Sequence, residues 1–176
     1  GSVIANGAGN YNMWLHRYHQ FTQVKTYLGA TSGSMGYGFP AAIAAALETG
    51  RPAVAWTGDG CFQMTLNELS TAMQHGAQVV TIVANNGRYG TIRMHQERTY
   101  PGRVSGTDLA NPDFAGLARA YGALGETVET DADFAPAFER ALASGRAAVI
   151  DLKLDREALT TSHTLSEVRA QAGART

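Results

Sequence analysis

Cysteine is nearly absent from this 176-residue sequence: Cys61 is the only one. A disulfide framework and a cysteine-rich zinc site are both excluded within the chain. Charge is also sparse, at 16% of residues with a net value of -1, and no basic run stands out. That excludes a broad electrostatic footprint for nucleic acid. No apolar stretch approaches the roughly 20 residues that a membrane-spanning helix needs. The N-terminus has no basic run followed by an apolar segment, so no secretory leader is expected. Internal repeats and low-complexity linkers are missing too. The expectation is a cytoplasmic globular domain with one sizeable core, consistent with 44% hydrophobic residues. Val3 opens abruptly on a strand, from which a domain cut from a longer chain is expected.

Short apolar runs alternate with helical patterns. Residues 3–5, 53–57, 79–84 and 147–152 are continuous and rich in β-branched side chains, as buried parallel strands are. Pro40 predicts a helix through Leu47, with proline in the first turn where its missing N–H costs nothing. Asn111-Pro112 predicts a second helix closed by Gly122, and Asp131 or Asp133 a third closed by Gly145. The βαβα order predicts an α/β fold, a doubly wound, mostly parallel sheet with helices on both faces. The segment from Gly87 to Asn111 holds five glycines or prolines and little periodicity; a connection that long is expected to be functional or mobile. Residues 160–176 are polar and read as a C-terminal extension that packs on the surface or trails off.

The sharpest chemical feature is the strand 53–57 running into Gly58-Asp59-Gly60, with a helix after it. Ligands in open α/β sheets lie at the carboxyl ends of strands. Glycines let the backbone approach a phosphate closely, and free N–H groups at a helix start attract anions. The next strand ends in Asn85-Asn86-Gly87. Neighbouring strand ends would bring Asp59 and Asn86 together, a hard-oxygen pair suited to Mg²⁺.

Gly58-Asp59-Gly60 followed by Asn85-Asn86, with Asn86 standing 27 positions after Asp59, resembles the diphosphate-binding motif of thiamine diphosphate-dependent enzymes. The resemblance implies thiamine diphosphate and Mg²⁺ as cofactors and a thiamine diphosphate-binding fold. It makes Asp59, the Asn86 side chain and the Arg88 carbonyl the metal ligands. It also puts the N–H groups of Gly60 and Cys61 on the diphosphate, with Gly58, Tyr89 and Gly90 beside it. Gly33 to Ala46 (GSMGYGFPAAIAAA) is similar to the segment of acetolactate synthase-type enzymes that grips the pyrimidine ring. By that likeness Met35 wedges the bent cofactor and the Gly33 carbonyl accepts from its amino group. Gly7 to Trp14 (GAGNYNMW) resembles the first diphosphate loop and places Asn10 and Tyr11 near the phosphates.

Simpler readings stand beside these. Met35 suits a core, since methionine fills irregular gaps. Thr65 and Glu68 form a capping-box pattern, with Leu66, Leu69 and Met73 as the buried stripe. His75 precedes Gly76 at a helix end, where a cation suits the dipole. Cys61 reads as a small residue near phosphate rather than a nucleophile. His95 lies where the family places substrate-facing residues, and both a pocket role and a surface role stay open for it. His16 and His19 lie in an aromatic, basic stretch and are read as surface or interface.

The family's activating glutamate comes from a separate pyrimidine-binding domain, usually on a partner subunit, and it has no counterpart here. The resemblance therefore implies half of a site, a homodimer or homotetramer, and a 2-keto acid substrate. It implies an acetolactate synthase-like enzyme that decarboxylates one 2-keto acid and transfers the carbanion to a second carbonyl. Two departures keep other outcomes open. His95 stands where acetolactate synthases carry a tryptophan, nine positions past the metal asparagine, and the segment from Asn85 to Arg93 (NNGRYGTIR) also looks like the 2-keto acid decarboxylases. A Rossmann-like binding or assembly domain is the remaining alternative. The lack of G-x-G-x-x-G after the first strand, and of a P-loop, argues against a nucleotide.

Overall fold

The computed structural model describes residues 2–174. Six strands, β1 (Val3–Asn6), β2 (Tyr27–Gly29), β3 (Ala53–Gly58), β4 (Val79–Asn85), β5 (Leu124–Val128) and β6 (Ala148–Lys153), form one sheet. Its order is β2-β1-β3-β4-β6-β5, and every pairing is parallel. Eight helices accompany it among the described residues: α1 (Asn12–Tyr18), α2 (Gly38–Thr49), α3 (Asp59–Gln63), α4 (Leu69–Gln74), α5 (Gly90–Thr99), α6 (Phe114–Ala120), α7 (Asp131–Ala143) and α8 (Leu165–Gly173).

The chemistry of the strands explains the layering. All seven residues of β4 are buried, as a strand covered on both faces must be. On one face Phe39, Ile43, Phe62, Leu69 and Phe114 from α2, α3, α4 and α6 pack on Ala55, Val79 and Val83. On the other, Ala137 and Ala141 of α7 pack on Val80, Val128 and Ile150, with Phe134 and Phe138 at the margin. A third, smaller cluster joins Leu159, Leu165 and Val168 to Met94, so α8 packs on α5. The expected doubly wound sheet is therefore present, with helices on both faces.

The chain leaves β1 for β2 on one side and returns to β3 on the other. The crevice between the carboxyl ends of β1 and β3 is thus the switch point where such sheets bind ligands. Gly38 serves that geometry. A Cβ there would lie 2.7 Å from the backbone of Asn6 and Gly7, so only glycine lets α2 start against the end of β1.

Several local expectations need correction. The strands β2 and β5 carry no continuous apolar run, because both are edge strands with one covered neighbour each. The segment after Gly87 is no bare connection; it contains the ten-residue helix α5. Of the two outcomes expected for the C-terminal stretch, residues 160–174 pack on the surface and do not trail off: Thr164 caps α8 in a full capping box with Glu167, and Leu165 and Val168 are buried. The other two residues of the expected extension, 175 and 176, lie outside the described residues. No capping box forms at Thr65. The Thr65 hydroxyl donates to the Gly36 carbonyl (3.1 Å), Glu68 accepts from the Thr71 hydroxyl (2.6 Å), and a short 3₁₀ turn at Leu66–Glu68 separates α3 from α4. Thr65 thereby holds the glycine loop 33–36 instead of a helix end.

Candidate functional site

A cavity of about 270 Å³ opens at the switch point. Three backbone segments build it: residues 8–11 after β1, Gly58 to Cys61 after β3, and Asn86 to Ile92 after β4. Gly33 and Met35 reach it from the loop before α2, and Leu154 and Leu159 from the chain after β6. Met35 is half-buried and borders the cavity, so it does not belong to the core.

Asp59 is 3% exposed and is the best-coordinated polar group in the site. Its Oδ1 accepts from the Gly60 N–H (2.8 Å); its Oδ2 accepts from the Gly87 N–H (2.8 Å) and from Asn111 Nδ2 (2.8 Å). The Gly60 N–H, expected to face a phosphate, is thus spent on Asp59. Burial pushes the Asp59 carboxyl above the usual carboxylate range, while Asn111 and the N–H groups of Gly60, Gly87 and Arg88 pull it back. A cation beside it would favour the charged form. Three of these donors lie at 2.8 Å, and of them only the Gly60 N–H is on Oδ1.

Asn86 lines the same cavity, and its Oδ1 accepts from the Arg88 N–H at 3.2 Å. Because Asp59 binds the Gly87 N–H, the ends of β3 and β4 are tied together, as the spacing of the two motifs requires. Among the described residues no cluster of three or more His, Cys, Asp or Glu could hold a metal. The available donors are one carboxylate, one amide and backbone carbonyls.

Two tyrosines close the walls by lying on glycines. A Cβ on Gly58 would meet the Tyr11 ring at 2.8 Å, and one on Gly60 would collide with the Tyr89 ring. The Tyr11 hydroxyl donates to Cys61 Sγ (3.3 Å), and its backbone carbonyl accepts from Trp56 Nε1 (3.0 Å). Burial, then the neighbouring Cys61, pushes the Tyr11 phenol well upward, so it stays protonated. Cys61 is 2% exposed and donates to the Ala8 carbonyl (3.1 Å). The Asn10 amide oxygen accepts from the Thr91 hydroxyl (3.0 Å), pinning the first loop to α5. Gly90 starts α5 against the Asn86 amide.

Every residue expected at the site lines this cavity except His95. That residue is exposed on α5 and contributes nothing to the lining, although Thr91 and Ile92 of the same helix do. His75 closes α4, as expected. The sequence reading missed Asn111, Asn85 and Asp151, which reach Asp59 through hydrogen bonds. Asn111 was expected to begin a helix, but Asp113 caps α6 (accepting from Gly116 N–H, 2.8 Å) and frees Asn111 for the site. Nothing in the local sequence marks it, because its partners are 26 and 52 positions away.

Comparison with known proteins bears on this geometry. The family described as thiamine pyrophosphate enzyme, C-terminal TPP binding domain, matches residues 7–152. The chain is 36% identical over 167 residues to an acetolactate synthase of Mycobacterium leprae, covering 89% of this chain and 26% of that protein. It is 33% identical over 142 residues to a sulfoacetaldehyde acetyltransferase of Castellaniella defragrans, covering 80% and 24%. In structure it is similar to a thiamine diphosphate-dependent 4-hydroxybenzoylformate decarboxylase of Rhodococcus jostii, with a TM-score of 0.82 at 30% identity over 88% of this chain and 29% of the other. The chain spans about a quarter of the length of the curated relatives it matches.

Proposed function

Because this chain belongs to the family of C-terminal TPP-binding domains of thiamine pyrophosphate enzymes, we propose that its cavity holds thiamine diphosphate through Mg²⁺, as one part of a 2-keto acid-processing enzyme. The observation that carries this is the junction of Asp59 with the loop at Asn86 and Gly87, beside Gly58 and Gly60, whose bare backbones carry the Tyr11 and Tyr89 rings of the cavity wall. An all-oxygen donor set with no thiolate or imidazole suits a hard cation. Mg²⁺ characteristically takes one or two carboxylates and completes its shell from phosphate and water, so the short donor list fits the group.

In this reading Asp59, the Asn86 side chain and the Arg88 carbonyl hold Mg²⁺. Asn10, Tyr11, Gly58, Gly60, Cys61, Tyr89 and Gly90 shape the diphosphate end. Gly33 and Met35 meet the far end, where Met35 supplies an apolar wedge. Thiamine diphosphate, when bound, supplies carbanion-stabilising chemistry that amino-acid side chains lack. The protein's task is to bind, orient and exclude water.

Asp59 is the only acid among the described residues that line the cavity. That supports an activating glutamate supplied by a pyrimidine-binding domain of the same or a partner chain. The exposed side chains Tyr18, Phe21, Val24 and Tyr27 support association into a homodimer or homotetramer. A cytoplasmic location is proposed with it. The acetolactate synthase and acetyltransferase likenesses favour transfer of a two-carbon unit to a second acceptor; the structural likeness to a benzoylformate-type decarboxylase is the observation behind a second reading, simple decarboxylation.

Full-length protein supplied with pyruvate, Mg²⁺ and thiamine diphosphate separates the two. Acetolactate is the expected product; aldehyde alone, from pyruvate or an aryl 2-keto acid, overturns the transfer reading. Titration calorimetry with the cofactor pair tests the site itself. Asp59→Ala should abolish Mg²⁺-dependent binding, and unchanged binding would show that the cavity is not the cofactor site.

A further inference from the structure

A chain of side chains runs behind Asp59 across three strands. Asn111 Nδ2 donates to both Asp59 Oδ2 and Asn85 Oδ1, each at 2.8 Å. Asn85 Nδ2 donates to Asp151 Oδ1 (2.8 Å), and Asp151 Oδ2 accepts from Lys153 Nζ (2.6 Å). Asn111 Oδ1 in turn accepts from Gln63 Nε2 (2.7 Å). Asp151 is 1% exposed and Asn85 7% exposed, so water does not compete freely for the inner links.

The order of groups gives this chain a direction. An ionised carboxylate only accepts, while an amide donates at one end and accepts at the other. Asp151 therefore fixes Asn85 with its NH₂ inward and its oxygen toward Asn111. That oxygen, in turn, requires Asn111 to present its NH₂. The same NH₂ then reaches Asp59. Reversing either amide would set oxygen against oxygen or NH₂ against NH₂ inside a site where an unmatched polar group keeps its full desolvation penalty. Asp151 on β6 thus determines, through two amides, which way Asn111 faces Asp59.

We propose that Asn111 is a positioning residue for the cation site, acting through Asp59 with its own orientation imposed by Asn85 and Asp151. It holds Oδ2 against the β4 loop, and Oδ1 keeps an acceptor position for the metal. The proposal rests on the Mg²⁺ reading above. Groups that orient metal ligands typically change affinity by about 10–100-fold when removed.

The test is a double-mutant cycle on the full-length protein, with Mn²⁺ as the probe in the presence of thiamine diphosphate, and free Mn²⁺ followed by electron paramagnetic resonance. Asn111→Ala should weaken Mn²⁺ at least about tenfold. In an Asp59→Asn background the same change should cost nothing further, because Asn111 acts only through Asp59. Equal losses in both backgrounds would mean a general structural role and would overturn the proposal. Asp151→Asn, which relaxes the direction without opening the site, should give a smaller loss in the same sense, and no loss there would remove Asp151 from it. If Asp59→Asn alone left Mn²⁺ binding intact, the failure would lie with the metal reading, whereas a normal Asn111→Ala beside a defective Asp59→Asn would defeat only this proposal.

Discussion

Asp59 and Gly60 place opposite demands on one loop. In the proposed site Asp59 must stay buried yet available to a cation, and donors at 2.8 Å keep its oxygens in place. Gly60 must carry no side chain, because the Tyr89 ring occupies the space a Cβ would take. Gly60→Ala should therefore displace Tyr89 from the cavity wall. The overpacking penalty is about 1–3 kcal/mol, read as a lower urea midpoint, with a weaker response to thiamine diphosphate and Mg²⁺. Trimming the ring should repair it: Gly60→Ala with Tyr89→Leu should regain most of the lost stability. A midpoint unchanged by Gly60→Ala would show that Tyr89 is free to leave.

At the scale of elements, α8 is attached to α5 by more than apolar contact. Glu97 is wholly buried, and its carboxylate takes Arg169 Nη2 (2.6 Å), Arg169 Nε (2.9 Å) and the Gly102 N–H (2.8 Å). The Arg169 hydrogen bonds hold the Glu97 carboxyl below the usual range, against the effect of burial. A carboxyl lowered in the folded state stabilises above its unfolded pKa, about 4.3, and that contribution is lost as pH falls through the folded value. The urea midpoint should thus drop in acid below about pH 4.3, and Glu97→Gln should flatten that part of the profile. At neutral pH Glu97→Gln should cost about 2 kcal/mol, as for hydrogen bonds to a charged group. Because the start of α5 lines the cavity and binds Asn10 through Thr91, amide exchange should also rise along residues 90–99 in that variant.

The whole molecule presents its cavity along one rim of the sheet, with a single lining acid among the described residues. The 176 residues alone should bind thiamine diphosphate with Mg²⁺ weakly and show no turnover of pyruvate. Adding the proposed flanking or partner domain, with its glutamate, should restore turnover. Turnover by the 176 residues alone would overturn the requirement for a second domain.

The sequence by itself determined the parallel sheet, since continuous β-branched runs can be buried only between two helical layers. It also determined the Asp59 and Asn86 motifs, because each sits at the end of its own strand and its chemistry is local. Tertiary structure decided the rest. The edge strands β2 and β5 have mixed composition and exist by pairing with β1 and β6. Thr65 became a clamp on the Gly36 loop instead of a helix cap once the two segments met. Glu97 needed Arg169, 72 positions away, to be buried at all. Asn111 looked like a helix start until the fold set it between Asp59 and Asn85. A hydrogen bond between distant residues leaves no period and no local pattern, so only the folded chain shows which amide turns its NH₂ toward Asp59.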